Sequence, residues 1–364
     1  MSMIPHKPRL PIRDVLLFGL WPSFVKVWLY RLKGYRIGKG VSISLGAVVV
    51  GDKVTIGDHT TIGFLTVIRG KEISLGSYVN IGTMTFLDTP YIEIGEGSKI
   101  NEQVFVGGLQ FPDSRFVMGR NCQIMQLSFL NPAPSITMGD DSGVGGYCLI
   151  FGHWSWLSQL EGYTVDFQPI EIGKGVCLAW RVFVGPGTKI GDGSVIGANS
   201  LVNGNIPPYS LAAGYPARVI SRALDFPKRL SEEDLRQVFR KIVEDMANCF
   251  TGWGLQCERQ EQRFRFTRTV DSWWRRKTSS LVLETFDGQP NEEWVKGLQG
   301  VDVVLSLCEI PVAVRNRLVE KRVMWIDATK KEQSRNSNEL GDEVSLFLKR
   351  YGIRTLRWPL EKQA

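Results

Sequence analysis

Histidine is the scarcest side chain in this sequence, with three in 364 residues, at positions 6, 59 and 153. A multi-histidine zinc site therefore lacks its ligands, and each histidine has to be judged alone. Six cysteines (122, 148, 177, 249, 257 and 308) show no CxxC and no paired spacing, so metal and disulfide readings are weak and a reducing cytoplasm fits. Neither a GxGxxG after a strand nor a GxxxxGK[ST] element is present, which removes the usual nucleotide-binding fingerprints. No apolar run is long enough to span a bilayer; the best candidate, Val15 to Tyr30, is short and broken by Pro22 and Lys26. No signal-peptide cleavage site follows it. The formal charge of +7 decides little.

What the chain does have is a period of six. An aliphatic or Met residue recurs through Ile37, Ile43, Val49; Ile56, Ile62, Ile68; Leu75, Ile81, Leu87; Ile94, Ile100, Val106; and on to Ile190, Ile196, Val202. Six is neither the 3.6 of a helix nor the 2 of a lone strand, so it marks the repeated turn of a coiled β solenoid. The step is six within each triplet and often seven between triplets, which predicts three flat faces per coil with an extra residue at one corner. Glycines after the buried residue, among them Gly57, Gly63, Gly82, Gly173 and Gly191, are expected to supply corner backbone angles that other residues resist. No single coil can bury its own apolar side chain, so such a stack is stable only as an array.

The interruptions say where function lies. The step is twelve between Val106 and Met118 and twenty-two between Ile150 and Ile172, so a loop leaves the prism at each place. Loops held by a rigid scaffold commonly carry chemistry. The second loop reads Phe151-Gly152-His153-Trp154-Ser155-Trp156. His59, by contrast, sits in an ordinary repeat, where a solvated corner is expected, and His6 precedes the repeats.

Gly152-His153, then Ile172-Gly173, then Gly185-Pro186-Gly187-Thr188-Lys189-Ile190-Gly191-Asp192-Gly193-Ser194-Val195-Ile196-Gly197-Ala198, Ile206-Pro207-Pro208-Tyr209 and Ala213-Gly214-Tyr215-Pro216-Ala217-Arg218-Val219-Ile220 together resemble the hexapeptide-repeat acyltransferases. Within them the pattern is nearest the galactoside, maltose and polysaccharide O-acetyltransferase branch. The resemblance implies a left-handed parallel β-helix over residues 35–222, a homotrimer with active sites between subunits, and acetyl-CoA as donor, with no metal. It places the general base at His153. An imidazole suits the role, since it can take a proton from an acceptor hydroxyl and return one to the leaving thiolate. A carboxylate or a backbone carbonyl is expected to orient the imidazole, with Glu161, Asp166 and Asp113 as the candidate carboxylates. For the donor, the resemblance carries over Ala198 and Arg218, the latter as a charge-assisted contact to a CoA phosphate. The chain departs from the pattern at Cys177, at Ala179-Trp180, and at Asn203-Gly204, with Arg222 able to replace a missing basic contact. The acceptor groove is expected to use polar residues beside the loop, among them Asn121, Gln123, Gln126, Ser128 and Asn131, together with Trp154 and Trp156.

Residues 1–34 form an amphipathic N-terminal segment, read first as a cap on the open end of the solenoid. The alternative is an interfacial anchor that would hold a cytoplasmic protein at the inner face of the membrane. Residues 223–278 read as a helix starting at Ser231 and a basic-aromatic connector, Arg263-Phe264-Arg265-Phe266, best taken as a half-buried strand with a solvated Arg face; no nucleic-acid partner is expected. Residues 279–364 alternate strand and helix patterns as a small α/β domain of unknown function, with Asp327 at a strand end. The fold class is thus mainly β. Three function classes follow: an O-acetyltransferase acting on a sugar or glycan precursor, the same chemistry on an amino sugar, or a catalytically silent scaffold.

Overall fold

A computed structural model describes residues 11–272 and 275–358; His6 and Trp273-Trp274 lie outside the described residues. The chain divides into two compact units, Met1–Arg229 and Leu230–Ala364.

The first unit is a three-sided prism of parallel strands. Two sheets have eight strands each, and a third has ten because a terminal hairpin, Leu211–Gly214 with Ala217–Ser221, is added to it. Strand Lys53–Ile56 pairs in parallel with Glu72–Leu75, so that Ile56 lies against Leu75 nineteen residues on. The column continues through Ile94, Met118, Met138, Ile172 and Ile190. All are buried, and with their counterparts on the other faces they form one continuous core. The period of six thus specifies one inward side chain per face, and the parallel ladders pair the backbone between coils.

The corners correct one expectation. Gly57 and Gly63 do not have positive φ; the left-handed residues come two positions later, at His59 (55°) and Leu65 (54°), and likewise at Tyr78 and Met84. The glycines are there because the coils touch. A Cβ on Gly57 would lie 2.4 Å from the Ser77 nitrogen, and one on Gly63 would lie 2.6 Å from the Gly82 carbonyl carbon. Small hydroxyls then pair the corner backbone. Ser142 Oγ donates to Gly173 O (2.6 Å) and accepts from Val176 N (3.1 Å), and Ser98 does the same with Gly119 O and Cys122 N.

Helix Ser23–Leu32 closes the open N-terminal coil. Lys26 Nζ donates to the carbonyls of Ser44 (2.6 Å) and Ala47 (3.0 Å), Tyr30 Oη accepts from Val49 N, and Ser23 Oγ accepts from Ile43 N. These side chains supply the partners that a preceding coil would have given.

In the second unit, helix Glu232–Gly252 starts in a capping box between Ser231 and Asp234. A seven-stranded mixed sheet runs in chain order. Strands Gln256–Gln260, Arg263–Ser272 and Arg275–Phe286 are antiparallel, whereas Arg275–Phe286, Val303–Ser306 and Met324–Asp327 are parallel. Phe264 and Phe266 are buried and Arg265 is exposed. Asp327 is not an open strand-end site: it is fully buried, 3.2 Å from Arg315 Nη2, and accepts from Ile310 N at 2.8 Å.

Candidate functional site

Both excursions leave the prism at the same corner. Gly107–Ser114 leaves after strand Phe105–Val106, and the longer one leaves after Leu149–Phe151, two coils on. The longer excursion is a hairpin: His153–Trp154 pairs antiparallel with Asp166–Phe167. It is fastened at its base, where Gly152 N donates to Asn131 O and Gln168 N donates to Gly152 O, each at 3.0 Å. Phe111 of the first excursion meets Phe167 of the second edge-on at 5.2 Å.

His153 is half-buried between Phe151 (5.8 Å) and Phe167 (5.9 Å, nearly parallel rings). Burial lowers its pKa below the ordinary imidazole value, so the ring is held in its neutral, basic form near pH 7. Its Nδ1 is buried with no hydrogen-bond partner among the described residues. The expected orienting carboxylate is therefore not found at that nitrogen: the Asp166 oxygens accept from Gln168 Nε2 instead. Trp154 stacks on Phe183 at 5.4 Å and lies over Gly185, whereas Trp156 is almost wholly exposed.

The expected donor residues gather on the neighbouring edge of the prism. Trp180 O accepts from Asn199 N, next to Ala198; Gly146 O accepts from Arg181 N; and Gln126 O accepts from Tyr147 N. Gln126, Ala179-Trp180 and Ala198 thus form one column. Trp180 lies flat over Gly146, where a Cβ would come within 2.6 Å of its ring. Arg218 joins this edge because it pairs with Ala213, which touches Gly197. Arg222 lies past the other end of that hairpin, and Asn203-Gly204 lies on the His153 edge after strand Leu201–Val202.

Asn131 is not a groove residue. It is 3% exposed, and its amide lies across the Leu109 peptide, N to Leu109 O at 2.9 Å and O to Leu109 N at 3.2 Å. Its role here is to tie the first excursion to the strand that precedes His153. Asn121 and Ser128 are buried too, with Asn121 Nδ2 on Asp141 and Ser128 Oγ on Gly145 O.

One feature escaped the sequence reading. Phe86, Phe105, Phe129, Phe151 and Phe183 form a ladder of ring contacts at 4.9–5.8 Å on the face between the two edges. Their spacing of nineteen or more residues was the available signal.

The chain is 46% identical over 68 residues to galactoside O-acetyltransferase of Escherichia coli strain K12, covering 19% of this chain and 34% of that one. It is 31% identical over 142 residues to a probable acetyltransferase of Mycobacterium tuberculosis, covering 35% and 43%. Over these stretches the chain is similar to acetyltransferases. It spans less than half the length of these two acetyltransferases. No family model matches. Among solved structures, an N-acyltransferase from Bacillus cereus in complex with dTDP and coenzyme A aligns over 62% of this chain and 100% of that one, at 15% identity and a TM-score of 0.33.

Proposed function

We propose that this protein is an acetyltransferase moving acetyl from acetyl-CoA to a hydroxyl of a sugar or glycan precursor, with His153 as general base. The observation that carries the reading is the neutral imidazole, presented on a fastened hairpin at a corner of the prism. As the acceptor oxygen attacks the thioester carbonyl, the imidazole takes its proton. The tetrahedral adduct then expels the CoA sulfur, the C–S bond breaks as the C–O bond is kept, and the imidazolium returns a proton to the thiolate. Arg218 is exposed, with Nη1 donating to Ala217 O, and would meet a CoA phosphate; Ala179, Trp180 and Ala198 would line the pantetheine path.

The two edges lie on opposite sides of one sheet face. Trp180 and Gly185 are five residues apart, at most about 16 Å at about 3.3 Å per residue. One copy therefore does not bring its donor edge to its own His153, and we place the site between copies of a trimer, wound left-handed. A neighbouring copy or the acceptor would then give His153 Nδ1 the partner it lacks among the described residues.

The test is titration calorimetry with acetyl-CoA and free CoA. Micromolar binding that weakens about tenfold or more in Arg218→Ala supports the reading, since a charge-assisted contact is being removed. No binding by folded protein favours the silent scaffold. An acceptor screen follows, in which hydroxylamine releases acetyl from an ester and leaves an amide intact, separating O- from N-transfer.

A further inference from the structure

Helix Ser23–Leu32 has two apolar faces, and the solenoid uses one. Lys26, Val27 and Tyr30 are buried against the first coil. On the opposite side Phe24, Trp28 and Leu32 recur at i, i+4 and i+8, and they are 76%, 59% and 66% exposed. Leu20 and Trp21 in the preceding turn, and Ile12, Leu16 and Leu17 before them, are at least half exposed as well. Scattered exposed apolar residues are ordinary; eight within this short stretch mark a docking surface.

The surrounding charge says what docks there. Residues 11–40 hold Arg13, Lys26, Arg31, Lys33, Arg36 and Lys39 against one acid, Asp14. Apart from the buried Lys26, these bases are exposed. Two copies meeting through this face would bring like charges together, which disfavours self-association. An anionic surface would be attracted. Two tryptophans beside basic residues are the composition of a segment that lies at a membrane–water boundary.

We propose that this face docks the protein onto a bilayer containing anionic lipid, the helix lying in the headgroup boundary. It lies on the membrane and does not cross it. The chain bends by 117° between Ile12–Gly19 and Ser23–Leu32, and among the described residues no single helix is long and apolar enough to span. The inner face is also committed, because Lys26 holds the carbonyls of Ser44 and Ala47. This inference does not depend on the acetyl-transfer reading.

The experiment is flotation of the full chain with vesicles of phosphatidylcholine alone and of phosphatidylcholine mixed with phosphatidylglycerol. The protein is expected to float with the mixed vesicles, less as salt rises. Phe24→Glu and Trp28→Glu should each weaken binding about tenfold or more. Arg31→Gln with Lys33→Gln should weaken binding to mixed vesicles by about 25-fold, at roughly fivefold for each charge, with little effect on phosphatidylcholine. Phe24 and Trp28 face solvent, so those variants should melt with the parent; Arg31 also donates to the Ile37 and Gly38 carbonyls and Lys33 lies 4.9 Å from the Tyr35 ring centre, so the double variant is compared with the parent below its own melting temperature. The proposal is overturned if the parent fails to float with mixed vesicles, or if Phe24→Glu and Trp28→Glu float as it does. It is also overturned if those variants change the oligomeric state in the absence of lipid, which would make the face a contact between copies.

Discussion

Replacing His153 by alanine tests the proposed chemistry and the local energetics together. The imidazole pKa is lowered by burial, so at pH 7 more than about three-quarters of the ring is neutral even by the reference value. Loss of a general base lowers turnover about 10²–10⁴-fold, on the order of 3–5 kcal/mol of barrier. The fold should hardly notice. Alanine gives up the ring contacts with Phe151 and Phe167, about 0.5–1.5 kcal/mol each, and also removes the buried, unpaired Nδ1, which costs about 1–3 kcal/mol. The two terms nearly offset. The assay is acetyl-CoA turnover followed by release of free thiol, alongside a thermal melt. In the parent, the rate should stay level through the ordinary imidazole pKa and fall only at lower pH, because the base stays unprotonated down to its lowered folded pKa. Stability follows the same sign. The unfolded chain takes up the proton first, so the contribution of this ring is fully present above about pH 6.5 and is lost as pH falls through the lower folded value. His153→Ala should flatten both limbs. An Ala variant that keeps turnover within a few-fold of the parent, or that loses activity only because it unfolds, refutes the reasoning.

At the corners, Gly63→Ala should destabilise by about 1–3 kcal/mol through overpacking, while Leu65→Gly should be neutral or stabilising because the left-handed position costs an ordinary residue about 1–2 kcal/mol; urea melts decide both. The opposite order would mean that corner conformation, not coil contact, placed the glycines. Asn131→Ala should lose about 1–3 kcal/mol and expose the 107–113 excursion to proteolytic nicking, and unchanged nicking would show that the amide does not hold Leu109. In native protein Cys177 should label with a maleimide, while buried Cys148, its thiol pushed up to about 11, should stay unlabelled until the fold is opened; mass spectrometry of the labelled peptides reads both sites.

The sequence by itself determined the prism. A side chain that must point inward on each flat face leaves a period of six, and one period repeated from Ile37 to Val202 leaves little freedom in how coils stack. It also marked where the scaffold opens, because an excursion such as that between Ile150 and Ile172 breaks the count. Periodicity does not say which outward residues meet across coils. Asn131 looked like a groove residue and turned out to grip Leu109, and the glycines placed for their backbone angles are there for the coil beneath. Two further facts belong to the tertiary structure alone. His153 and the Trp180–Ala198 column lie on different edges of one face, and the helix that caps the prism has a second apolar face turned to solvent. Both depend on contacts between residues eighteen or more positions apart; the spacing of Phe24, Trp28 and Leu32 is legible along the chain, but which side of the helix the solenoid covers is not.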